Sequence, residues 1–186
     1  MARKRIYSVS RVPPQEVTPN DGDDHEALLE TITVARFDWK SLSKWRVAKC
    51  LLVLRQQVDD RAPGRSKVKD GTIGDQAHQG RESDHNPHVR DDGIGVVTAL
   101  DITHDPDRAC DVGTISEALR SGRDQRIKYV IWDGRLFSSY EYEGIDAWTW
   151  RAYQGQDPHD GHVHISVVAN RGLYDSQNLW ALPVLP

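Results

Sequence analysis

The chain has 186 residues, 28% charged and 38% hydrophobic, and its 24 Lys plus Arg against 28 Asp plus Glu give a formal net charge of -4. That length suffices for one domain with a core of ordinary size, and no basic stripe alternates with aromatics as a nucleic-acid face requires. The longest apolar run, Cys50 to Leu54, falls far short of the roughly 20 residues of a bilayer span, so no membrane span is expected.

Residues 1–36 carry Pro13, Pro14, Pro19 and an acidic cluster from Asp21 to Asp24. They read as a polar arm, too poor in apolar surface to order alone, in which Ile32, Val34 and Phe37 form a short strand or dock elsewhere. Residues 37–186 read as the folded domain. Arg3-Lys4-Arg5 resembles a signal-peptide opening, but Ile6 to Asn20 supplies no apolar stretch, so no export signal is expected.

From Leu42 to Val58, the spacing of Val47, Leu51, Leu54 and Val58 predicts a helix, with Ser41 as its cap and Ala62-Pro63-Gly64 beyond its end. Asp59 to Asp92 shows no period; a loop of that length is usually functional or disordered. Ile94 to Ile102 reads as one strand. Thr114 and Glu117 form a capping box ahead of a second helix through Ile115, Ala118 and Leu119. Ile127 to Trp132 and Arg135 to Ser138 flank Asp133-Gly134, a two-residue hairpin signal, and His162 to Val168 is the last strand. Cys50 and Cys110 form no CxxC pair, which excludes a cysteine zinc knuckle and a disulfide scaffold. The order of elements predicts an α+β fold, a small antiparallel sheet with flanking helices.

Period two puts His162, His164, Ser166 and Val168 on one face of the last strand, opposite Val163, Ile165 and Val167. One face packs and the other coordinates. Asp101 interrupts the apolar run Val96 to Ile102, and a carboxylate there needs a partner. A divalent metal satisfies both strands, imidazole and carboxylate being suited to zinc, and His85 in Ser83-Asp84-His85-Asn86-Pro87 supplies a third ligand. Three protein ligands with a fourth position open is the catalytic arrangement. Arg81 is a candidate for a substrate carboxylate. Of Trp148 and Trp150, one is expected to pack and the other to line a peptide groove. His78, His104 and His159 read as supporting or solvent-facing, and His25 and His88 as surface residues.

The order Ser83-x-His85, Gly95-x-x-x-Ala99-x-Asp101 and His162-x-His164 resembles the zinc D-alanyl-D-alanine metallopeptidases with their lysostaphin and hedgehog relatives, over roughly residues 40–170. The resemblance implies that fold, zinc on His85, Asp101 and His164, help in catalysis from His162, and peptidoglycan peptide as substrate; Arg81, Ser83 and Trp150 are the candidate substrate contacts. The sequence departs from the carboxypeptidase branch in two ways. Sixteen positions separate His85 from Asp101 (101 − 85), with His88 to Gly93 as an inserted loop, and no Glu follows Glu143. The proton-transfer role then falls to His162 or to an acid such as Asp160.

The expected function is therefore hydrolysis of peptide bonds in bacterial cell-wall stems or cross-links, as in a phage endolysin or a carboxypeptidase. The alternative is a catalytically silent zinc-binding module of a phage tail or secreted particle, assembled through the arm. Without an export signal, the protein is expected to be cytoplasmic until released, or particle-associated, and to act at the wall.

Overall fold

The computed structural model describes residues 44–74 and 83–183. The arm, its expected strand at Ile32 to Phe37, the Ser41 cap, His25, His78 and Arg81 lie outside them.

Trp45–Val47 forms β1 and Lys49–Arg61 forms α1. The helix thus begins seven residues later than its periodicity suggests (49 − 42), and Ala48 at its start makes no side-chain cap. Trp45, Arg46 and Val47 pair in parallel with Gly95, Val96 and Val97, so ladder hydrogen bonds override the helical spacing. Val89–Asp91 is β2 and Ile94–Val97 is β3, giving a three-stranded sheet in the order β1-β3-β2.

Ala99–Thr103 is β4, which belongs to the other sheet. The single strand expected at Ile94 to Ile102 is therefore two, broken at Thr98. Thr98 N donates to Asp84 O at 3.0 Å and Thr98 O accepts from Val167 N at 2.9 Å, so its backbone bonds point to two different neighbours. Val112–Gly122 is α2, capped by Asp111, whose carboxylate accepts from Gly113 N. Asp111 replaces the expected Thr114 cap: the Thr114 hydroxyl donates to Asp111 at 2.7 Å, and Glu117 binds Arg120 instead of closing a box.

Ile127–Trp132 is β5 and Arg135–Ser138 is β6, joined by Asp133 and Gly134 with φ of 50° and 68°. Positive φ at both positions is the type I′ turn that Asp-Gly favours. Arg151–Ala152 is β7, His162–Val167 is β8 and Arg171–Tyr174 is α3. The second sheet, β4-β8-β5-β6-β7, is antiparallel throughout. Mixed helices and sheets make the fold α+β, and no described helix is long and apolar enough to cross a membrane.

Cross-strand register divides this sheet into two faces. Leu100, Ile165, Val130 and Phe137 align across one face and are fully buried in the main core, as are Leu51, Leu54 and Ile115 of the helices. Asp101, His164 and Ile131 align on the other. The chain after α3 packs against α1: Trp180 donates Nε1–H to Cys50 O at 2.8 Å, beneath the Arg126 guanidinium. Burial pushes the Cys50 thiol up to about 12 and Cys110 to about 11, so both are inert apolar packing.

Among the described residues, Phe137 is the largest fully buried side chain. Phe137→Ala is expected to destabilise the fold by about 3–5 kcal/mol yet leave metal stoichiometry unchanged in the folded fraction, because its face is opposite Asp101 and His164. Thermal unfolding with elemental analysis checks this; metal loss from protein that is still folded contradicts the two-face division.

Candidate metal centre

Asp101 and His164 are direct cross-strand partners on β4 and β8, which brings two residues 63 positions apart to 3.1 Å. His85 reaches the same point from a loop. The Ser83 to Asn86 turn closes with Asn86 N donating to Ser83 O at 2.8 Å, and the Asp84 carboxylate is anchored by Lys128 Nζ at 2.9 Å. Ser83 Oγ accepts from His85 N at 3.3 Å, so this hydroxyl shapes the turn that carries the ligand. A second segment crosses β4 at Gly71, which exchanges backbone hydrogen bonds with Asp101. A Cβ at Gly71 would come 3.1 Å from Asp101 Oδ2, so the approach requires glycine or a shifted carboxylate.

The three edges of the cluster are nearly equal. His85 Nε2 lies 3.1 Å from His164 Nδ1 and 3.2 Å from Asp101 Oδ1, and His164 Nδ1 lies 3.1 Å from the same oxygen. Each histidine is held by its other nitrogen. His85 Nδ1–H donates to Thr72 O at 2.9 Å, a carbonyl that only accepts, so the neutral ring turns its Nε2 lone pair to the centre. Ser166 Oγ, 3.0 Å from His164 Nε2, can take that N–H and leave Nδ1 free to ligate. Tyr129 stacks on the His164 ring at 5.5 Å.

One proton cannot serve three such edges, whereas a divalent cation serves all of them. Tetrahedral bonds of ~2.0–2.1 Å place neighbouring ligand atoms ~3.3 Å apart, close to the observed edges. A hard ion such as calcium prefers six or more oxygens, and this centre offers two nitrogens and one carboxylate. His85, Asp101 and His164 are thus positioned to bind a metal ion, as their sequence pattern predicts.

Charge coupling fixes a sign for pH dependence. Burial opposes charging His85, but the hydrogen bond and charge of Asp101 outweigh it and hold its pKa above 6.5. Burial likewise opposes ionising Asp101, and the hydrogen bonds from His164 and His85 keep it far below the usual carboxylate range. Burial depresses His164. With protons as the only cations, His85 therefore keeps its proton to a higher pH than a free imidazole does, and a metal must displace it. Metal affinity is expected to fall as pH drops through this range, by about tenfold per unit for each displaced proton. Competition with a chromogenic chelator between pH 7.5 and 5.5 measures it, and a flat profile contradicts the ligand set.

His162 begins β8 on the ligand face, opposite Thr103. It is nine-tenths buried, its Nδ1 has no hydrogen-bond partner, and burial depresses its pKa below 6.5. His159, expected to be supporting or solvent-facing, stands 4.7 Å from His162 and 5.6 Å from His164, ring to ring. His104 caps α2, accepting from Val112 N at 3.3 Å.

Asp160 and Trp150 lie in different surroundings. Asp160 is exposed, with Lys69 Nζ 4.0 Å away, and belongs to neither metal-competent cluster. Trp150 packs edge-on against Phe137 at 4.8 Å and donates to Glu117 of α2 at 3.1 Å, which puts it with the core face. Trp148 also packs on Phe137, and both tryptophans stay partly exposed. The chain matches no family model, no curated protein and no solved structure.

Proposed function

We propose that this protein is a zinc-dependent peptidase that hydrolyses peptide bonds in bacterial peptidoglycan stems or cross-links. The observation that carries the proposal is the convergence of His85, Asp101 and His164 within 3.1–3.2 Å, with His162 beside them on the same strand face. Three protein ligands leave one tetrahedral position for water or substrate, which is the catalytic pattern. The order of the three motifs, similar to that of the D-alanyl-D-alanine and hedgehog-like zinc proteins, supports the substrate class and a related fold.

Zinc held there supplies Lewis acidity toward a carbonyl and lowers the pKa of water toward 7. The chain supplies the rest. Asp101 and the two histidines hold the ion, with Thr72 O and Ser166 Oγ orienting the imidazoles. His162, neutral at pH 7 because burial depresses its pKa, takes the proton from the attacking water and returns it to the leaving amine.

Digestion of purified peptidoglycan tests the reading. New amino groups and new carboxylates are expected in equal number, without new reducing sugar ends. If zinc-loaded protein opens no peptide bond in any wall chemotype, the silent zinc-binding module of a phage tail or secreted particle takes its place.

A further inference from the structure

Beside the first centre lies a second group with the same donor chemistry. One ring nitrogen from each of His159 and His162 and one Asp157 carboxylate oxygen lie within 4.8 Å of one another. The loop that carries Asp157 and His159 is tied to the β5–β6 turn, where Gly134 N donates to Pro158 O at 2.7 Å and Asp133 N to His159 O at 3.2 Å. His159 Nδ1–H donates to Asp157 O at 2.6 Å, which leaves the Nε2 lone pair of the neutral ring free. An independent observation comes from β8: His162 is nine-tenths buried, and its Nδ1 meets no hydrogen-bond partner. Buried imidazole nitrogens normally have one.

We propose that Asp157, His159 and His162 form a second divalent-cation site. Asp157 and His159 are reachable from solvent, so this site exchanges its ion more readily than the His85 centre. Its effect on activity rests on the peptidase reading: a cation on His162 competes for the imidazole that proton transfer needs, so filling the second site lowers the hydrolysis rate.

The test is zinc titration of metal-stripped protein, followed by calorimetry and by elemental analysis at fixed free zinc. Two equivalents per chain are expected, a tight one and a weaker one. His159→Ala and Asp157→Asn should each remove the weaker equivalent and keep the tight one, and His164→Ala should remove the tight one. Saturation at one equivalent overturns the proposal, as does a weaker equivalent that survives both His159→Ala and Asp157→Asn. Two equivalents without any wall hydrolysis uphold the second site while rejecting the peptidase.

Discussion

His164→Ala is expected to lose the metal of the His85 centre and wall hydrolysis together. The substitution removes one of three ligands and leaves a half-buried carboxylate and one imidazole, a poor site for a small divalent ion. Because metal binds the folded state, the wild type gains stability by mass action, about 2.7 kcal/mol at zinc 100-fold above the dissociation constant. His164→Ala should lack that zinc-dependent gain. Thermal unfolding with and without zinc, beside elemental analysis, reads both effects. Full occupancy of the tight site in His164→Ala sinks the ligand assignment.

His162→Ala should behave differently. The residue lies on the ligand face but outside the three-edge cluster, so the tight metal is expected to stay. Loss of a proton-transfer group typically costs about 10²- to 10⁴-fold in rate. The combination of retained tight zinc and a rate loss of that order separates a catalytic His162 from a structural one. If His162→Ala digests wall at the wild-type rate, proton transfer runs through another group, and His159, its ring 4.7 Å from that of His162, is a candidate.

Asp101 and His164 were legible as members of the cluster because each breaks a local pattern. Asp101 is an ionisable residue in a buried strand, and His162 and His164 alternate with Val163 and Ile165, whose burial sets the face. The Asp133-Gly134 hairpin was legible for a similar reason, since few dipeptides tolerate positive φ at both positions. What the sequence concealed depends on partners distant along the chain. Trp45 to Val47 continues a helical spacing and becomes a strand only because β3 lies beside it. The break at Thr98 reflects hydrogen bonds to Asp84 and Val167, and neither is visible locally. The contacts of Trp150 were concealed because nothing in its own segment reports Phe137 or Glu117. His159 reads as supporting or solvent-facing because the ties of its segment to the β5–β6 turn and its ring contacts with His162 and His164 are not visible locally.

The most direct measurement of the central claim follows peptidoglycan hydrolysis while metal-stripped protein is reloaded with zinc in substoichiometric steps. New amino groups should appear in proportion to bound zinc, reach their maximum rate at one equivalent per chain, and vanish again on chelation. A stripped protein as active as the loaded one, or a protein with its first equivalent fully bound that releases nothing from any wall chemotype, contradicts the account.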